Sequence, residues 1–281
     1  MLTVDALVEG VHFEPGWLSA RQIGRKSFLV NASDIAAMGG RPRWCLVSIA
    51  VPPRYAVRDL FAVQAGITAA ARACGATVVG DNLTAAEQLA VSISLVGEAP
   101  RRITTRAGAR PGDYVCVTGT LGDAAAGLRQ LRRGGHNGAA LVRRFAEPRP
   151  RLRAGQKLVQ AGIVSAMIDV SDGLLQDLGH VVGASGVGAV VEVDRLPLSP
   201  AYRKALGADA TLALRGGEDY ELLCTVPERK LTVLERIRRE LGCPLRCIGR
   251  ITAGRGVRVV DRSGDVLRLE SAGFDHFRSR R

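Results

Sequence analysis

The sequence predicts an α+β protein made of two domains, on three observations. Its 281 residues suffice for two ordinary domains. Strand-like apolar runs and helix-like amphipathic stretches are mixed, without the regular alternation of a doubly wound sheet. A cluster of Arg, Gly and Pro over residues 101–113 interrupts the pattern, so the expected domains are 1–107 and 108–281.

In chain order, residues 2–11 read as a strand. Residues 19–38 have helical character, with Gly39-Gly40 as the stop. Residues 46–51 form a short apolar strand closed by Pro52-Pro53. Residues 56–74 read as an amphipathic helix, with Leu60, Val63, Gln64 and Ile67 near one face. Residues 77–80 read as a buried strand. Over 89–96, Leu, Val, Ile and Leu alternate with Ala, Ser, Ser and Val, which suits a half-buried strand. After the break come a strand at 114–118, a helix at 122–132, a polar loop at 133–137, a strand at 166–170 and a helix at 174–184. Further strands are expected at 189–193, 221–226, 245–251 and 257–260, with a helix over 230–241.

Hydrophobic residues make up 47% of the chain and aromatics 4%, so the core must be built from Ala, Val, Leu and Ile. That balance argues against disorder. No run reaches the ~18 uninterrupted apolar residues of a membrane span. Residues 1–5 lack the basic start and apolar stretch of a signal peptide, so a cytoplasmic address is expected. Cys45, Cys74, Cys116, Cys224, Cys243 and Cys247 sit mostly in apolar runs and read as reduced core residues. Cys243 and Cys247 have no second Cys or His pair nearby, so a closed four-ligand zinc site is not expected. The net charge of +12 raises nucleic acid as a partner. The arginines are scattered, however, and no aromatic stacking pattern accompanies them. They read better as a solvated surface that attracts anionic nucleotides.

Five acidic clusters carry the candidate chemistry: Thr3-Val4-Asp5, Asn31-Ala32-Ser33-Asp34, Gly80-Asp81-Asn82, Asp169-Val170-Ser171-Asp172-Gly173 and Gly216-Gly217-Glu218-Asp219-Tyr220. They sit beside glycine or at strand ends, not on helix faces. A carboxylate projecting from the end of an apolar strand can face a cation, and magnesium takes oxygen ligands that it shares with phosphates. The same residue types also cap helices and make turns. Ser171 and Asp172 could cap the helix that follows them. Asp169 stands out, since it follows Met167-Ile168 and would be costly to leave unpaired near a core. The P-loop, the dinucleotide fingerprint and the protein-kinase motifs are all absent. His12, alone, reads as a turn residue.

Taken in order, the clusters resemble the thiamine-monophosphate kinase family of the aminoimidazole ribonucleotide synthetase superfamily. The resembling stretches are residues 3–13, 31–39, 117–123, 168–174, 216–222 and 273–277, so the match spans nearly the whole chain. The resemblance implies the two-domain aminoimidazole ribonucleotide synthetase-like fold and a homodimer formed through the N-terminal sheet. It implies a magnesium-dependent reaction in which ATP and thiamine monophosphate give ADP and thiamine diphosphate. By that likeness Thr3, Val4 (through its carbonyl), Asp5, Asp34, Asp81, Asp169 and Asp172 match metal positions. Gly80, Asp81, Arg106 and Ser171 match ATP contacts, and His12 and Glu218 match substrate contacts. Several magnesium ions would neutralise two approaching phosphates. The accepting phosphate oxygen is already ionised, so direct in-line transfer needs no strong general base and no catalytic side chain is assigned.

Three departures accompany the likeness. A Gly-Asp-Asp-Ala-like segment that precedes the first cluster in the family has no counterpart after Met1, which implies weaker metal binding by the chain as given. Ser271 stands where a substrate-stacking aromatic is expected, with Phe274 and Phe277 nearby. Residues 72–75 lack an aromatic that some members place near the adenine. The alternatives are another ATP-using enzyme of the superfamily, such as a selenophosphate synthetase or a ribonucleotide amidine ligase, and a basic nucleic-acid-binding protein. The Gly-Glu-Asp-Tyr-Glu-Leu and Glu-Gly-Val-His-Phe stretches favour the thiamine enzyme.

Overall fold

The computed structural model describes residues 1–99, 101–135 and 139–267. The first part builds β1 (Leu2–Val8), α1 (Ala20–Ala37), β2 (Arg41–Val51), α2 (Val57–Ala73), β3 (Thr77–Ala85) and β4 (Ala90–Glu98). The strands form one sheet in the order β1-β4-β2-β3, antiparallel except for β2 and β3. Period-two alternation decides its faces. Val91, Ile93 and Leu95 of β4 and Cys45, Val47 and Ile49 of β2 point into the core under α1 and α2. The other face is open and apolar: Leu2, Val96 and Trp44 form one cross-strand row, and Val4 and Leu46 flank Ser94 in the next. Ser19 caps α1 in a reciprocal capping box with Gln22. Helices α1 and α2 cross so closely that a Cβ on Gly24 would lie 2.0 Å from the Val63 carbonyl oxygen, which fixes glycine there.

The second part builds β5 (Tyr114–Thr118), α3 (Asp123–Arg132), α4 (Ala140–Ala146), α5 (Leu152–Gln160), β6 (Ala166–Asp169) and α6 (Leu174–Ser185). It continues with β7 (Gly188–Glu192), α7 (Pro200–Leu206), α8 (Thr211–Arg215), β8 (Leu222–Val226), α9 (Leu231–Ile237), β9 (Leu245–Thr252) and β10 (Gly256–Val260). Its sheet runs β10-β7-β9-β5-β8-β6 and is mixed, with β10 parallel to β7 and the other pairs antiparallel. Strands β5 and β8 are buried nearly throughout, because α6 and α8 pack on one face and α5 and α9 on the other. The two parts share cores: Phe145 and Tyr220 join the N-terminal cluster, and Ala36 and Ala37 join a C-terminal one. This is the predicted α+β architecture.

Three expectations need correction. Residues 77–80 are not a buried strand; β3 runs on to Ala85 and is an edge paired only with β2, so Val79 and Leu83 stay exposed. Asp34 does lie on a helix face, within the last turn of α1. Residues 230–241 form short 3-10 turns around α9 in place of one continuous helix. Helices α4, α5, α7 and α8 are not predicted by the patterning, since pieces of five to nine residues carry too few turns to show a period.

Candidate active site

The site lies on the seam between the two parts. On β1, Thr3 and Asp5 share the inner face with Leu7 and look toward α1. The Thr3 hydroxyl donates to the Asp34 carboxylate on α1. One residue back on α1, the Ser33 hydroxyl donates to Asp169 Oδ2 over 2.5 Å, joining α1 to the end of β6. Asp172 follows in the loop before α6, where Gln176 donates to it over 3.1 Å. Asp177, in the first turn of α6, accepts the backbone N–H groups of Ser171, Asp172 and Gly173 at 3.1, 3.2 and 3.1 Å. That single carboxylate therefore shapes the Ser171–Gly173 loop.

The electrostatics follow from crowding like charges in a half-dry place. Burial raises the Asp5 carboxyl to about 6, with Asp34, Glu218 and Asp172 adding to the effect. Burial also raises Asp34, against its bond from Thr3. Asp169 is raised to about 7 by burial and then by Asp34. Asp177 is raised to about 8 by burial, Asp169 and Asp172, against its backbone N–H bonds. Among the described residues, no Lys or Arg lies within ion-pairing distance of any of these five aspartates. Asp172, Asp177 and His180 also bring one ligand atom each within 4.8 Å of one another. A set of carboxylate oxygens with no protein cation suits a hard divalent cation.

Beside the acids opens a cavity of about 1080 Å³, lined from the N-terminal part by Asp5, His12 and Trp17 and from the C-terminal part by Ser171, Asp172 and Glu218. The turn after β1 aims His12: its Nδ1 accepts the Val8 N–H over 3.0 Å, which puts the neutral ring's proton on Nε2 as a donor. Arg129, Arg132 and Arg215 line another part of the wall. Glu218 comes from the loop before β8, where it and Tyr220 hold left-handed backbone at φ 73° and 51°. Such conformations persist at functional loops only where the surroundings over-determine them. Here Glu218 N–H donates to the Ser171 carbonyl over 2.7 Å and Tyr220 N–H to the Val170 carbonyl over 2.8 Å. Gly217 presses on the same segment: a Cβ there would lie 2.3 Å from the Ser171 carbonyl oxygen. Behind Glu218 stands Lys26 of α1, fully buried, with Nζ 2.7 Å from Glu218 Oε2. Burial lowers the Lys26 pKa and Glu218 raises it back in part.

The seam thus gathers Thr3, Asp5, His12, Asp34, Asp169, Ser171, Asp172 and Glu218 from the sequence-derived set. Val4 is on the same strand with its side chain on the open face. Gly80 and Asp81 are elsewhere, on β3 at the opposite sheet edge from β1, where Gln64 donates to Asp81 over 3.4 Å. Arg106 is exposed in the linker, near Ser185. Ser271, Phe274 and Phe277 lie outside the described residues. Sequence reasoning missed Asp177, Lys26, Trp17 and Phe145. Asp177 had one signal, an acid four residues after Gly173 at a helix start; the others had none.

Two family models match the chain: AIR synthase related protein, N-terminal domain, over residues 1–99, and its C-terminal domain over residues 110–262. The thiamine-monophosphate kinase of Salmonella typhimurium is 38% identical, over 98% of this chain and 86% of its own length. The crystal structure of thiamine-monophosphate kinase from Stenotrophomonas maltophilia superposes with a TM-score of 0.87 at 38% identity, covering 95% of this chain and 86% of that one. The structure of AaThiL complexed with AMPPCP and TMP gives the same TM-score at 36% identity, over 98% of this chain and 86% of that one. On these matches and the acidic seam, the chain belongs to the thiamine-monophosphate kinase family within the AIR synthase related proteins.

Proposed function

We propose that the protein transfers the γ-phosphoryl group of ATP to thiamine monophosphate, forming thiamine diphosphate and ADP. The observation that carries this is the seam: aspartates that no Lys or Arg pairs among the described residues open onto a cavity with an imidazole donor and three arginines. The likeness to relatives of that name over nearly the whole chain supports the choice of substrate.

Thr3, the Val4 carbonyl, Asp5, Asp34, Asp169 and Asp172 are the oxygens that would hold magnesium, and the all-oxygen set fits it. When bound there, magnesium supplies charge neutralisation for two phosphorylated reactants. The chain's own groups do the rest. The Nε2–H of His12 donates to a substrate phosphate, and Ser171 meets the nucleotide. Arg129, Arg132 and Arg215 draw anions into the cavity. Glu218 faces the heteroaromatic part of thiamine monophosphate and accepts from its aminopyrimidine amino group. The attacking phosphate oxygen is ionised near neutral pH, so transfer is direct and in line, with no phospho-enzyme.

Gly80, Asp81 and Arg106 take their proposed ATP and metal roles only with a second copy. The open face carrying Leu2, Val4, Trp44, Leu46 and Val96 is an apolar patch of the kind that marks an interface. A homodimer packed through it would set one copy's β3 edge beside its partner's β1. Residues 1–107 would then form the dimerising half, and 108–281 the half closing the cavity. The six free thiols fit a reducing cytoplasm.

The test is magnesium-dependent ADP release with thiamine monophosphate, with thiamine and with neither. Release that needs thiamine monophosphate is expected; release with thiamine alone, or without acceptor, would refute the assignment. For the dimer, Leu46→Glu should give a monomer without activity, and an active monomer would refute it.

A further inference from the structure

Lys26 is not part of the cavity wall, yet it is tied to it. Its side chain is completely buried on α1, in the N-terminal part. Its ammonium meets two groups of the C-terminal part: Glu218 Oε2 at 2.7 Å and the face of the Phe145 ring, 3.5 Å from the centroid. Glu218 and Phe145 both line the cavity, as does Trp17, which packs edge-on against Phe145 at 6.4 Å.

Burying an ammonium is costly unless an anion answers it, and Glu218 is the only carboxylate paired with it among the described residues. A buried ion pair kept for stability alone could be replaced, both partners together, by apolar side chains of similar volume with little loss. The division of the Glu218 carboxylate points to another use. Oε2, the oxygen beside Lys26, is sealed from solvent, while the Glu218 side chain keeps 23% of its surface open. The open part is the edge that lines the cavity. Lys26 therefore takes one oxygen and leaves the other to a ligand. The Glu218 backbone is held separately by Ser171 and sits at φ 73°, so its side chain has a fixed origin and a fixed far end.

We propose that Lys26 is a positioning residue for substrate: it holds Glu218 turned so that its other oxygen faces the heteroaromatic part of thiamine monophosphate and accepts from the aminopyrimidine amino group. The proposal rests on the assignment of Glu218 to that substrate. Its consequence is selective. Removing Lys26 should weaken the thiamine compound and leave ATP untouched, because no metal-facing aspartate contacts it.

The experiment varies each substrate in turn for wild type, Lys26→Met, Lys26→Arg, Glu218→Gln and the double variant. Lys26→Met should raise KM for thiamine monophosphate roughly 10- to 100-fold, with KM for ATP within about twofold. Lys26→Arg restores the charge without the compact ammonium, so it should recover only part of the loss. The double variant buries neither charge, so it should fold even if Lys26→Met does not. Its KM for thiamine monophosphate should match that of Glu218→Gln alone, because Lys26 acts through Glu218. Unchanged KM in Lys26→Met, equal loss for both substrates, or a further tenfold loss in the double variant would overturn the inference. A wild type that does not turn over thiamine monophosphate would overturn the functional reading, and the inference with it.

Discussion

Asp169 and Glu221 stand at the ends of adjacent strands, where Val170 N–H donates to the Glu221 carbonyl, and both side chains are buried. Their surroundings differ completely. Glu221 receives Arg144 at 2.8 Å, Arg151 through two nitrogens at 2.6 and 2.5 Å, and the Thr118 hydroxyl at 2.7 Å. Asp169 receives one serine hydroxyl and otherwise faces other acids. Glu221 serves the fold and is matched by the fold's own cations. A carboxylate left among like charges is stable only with protons or with a cation from outside. The contrast sets these two acids of one sheet apart.

The sharpest break in that contrast is charge removal on each side. Asp172→Asn or Asp5→Asn should cut turnover by about a thousandfold or more, roughly 4 kcal/mol of barrier, without loss of folding stability. ADP release and a urea melt on the same preparations test it; near wild-type turnover would remove that residue from the metal set. Glu221→Gln should do the opposite. It leaves Arg151 uncompensated and Arg144 with Asp123 alone at 3.9 Å, and should cost about 3–5 kcal/mol of stability. Equal urea midpoints for Glu221→Gln and wild type would contradict the structural assignment.

Titration sharpens the contrast further. Asp5 and Asp169 bind protons more tightly folded than unfolded, at about 6 and about 7 against about 3.9 for a free aspartate. Unfolding therefore releases protons between those limits, and stability falls as pH rises through the window before levelling off. The metal-free protein should melt several degrees lower at pH 8 than at pH 5. Magnesium should recover most of that loss at pH 8 and little at pH 5, where Asp5 and Asp169 already hold protons. Thermal melts with and without magnesium at both pH values decide it, and a magnesium effect independent of pH would count against the acidic seam as its site.

How much of this was legible in sequence depends on what each residue answers to. Asp169 stood out because it follows an apolar pair, whereas Asp5 and Asp172 could be read only through the order of the motifs, since such acids also cap helices and make turns. Glu218, Asp219 and Glu221 read as one motif, but the fold gives them three tasks. Glu218 faces the cavity, Asp219 accepts from Gly122 and Ala124 at the start of α3, and Glu221 is locked by arginines. Nothing local separates them, because Arg144 and Arg151 arrive from about seventy positions away. Lys26 was invisible for the same reason. Its partners Phe145 and Glu218 belong to the other half, and in α1 it passes for an ordinary helical lysine. Asp81 could be read as an acid but not placed, since β3 and β1 are opposite edges of one sheet.

The finest comparison uses two threonines that each donate to a carboxylate. Thr118 serves Glu221, and Thr3 serves Asp34. Thr118→Val removes one of several donors from a carboxylate that two arginines still hold, so the cost should be about 1 kcal/mol of stability. Thr118 also accepts the Leu222 N–H over 2.8 Å, which valine cannot replace, and that sets the loss above zero. Thr3→Val removes the one side-chain donor bonded to Asp34 among the described residues, yet Asp34 is half-buried and can turn to water. Its stability change should stay within about 0.5 kcal/mol. What should move is the magnesium concentration for half-maximal turnover, since Thr3 both aims Asp34 and offers its own oxygen. A several-fold rise is expected for Thr3→Val and none for Thr118→Val. A shift of equal size in both would mean that the two acids differ in degree only, and that the unmatched aspartates are not set apart for a cation.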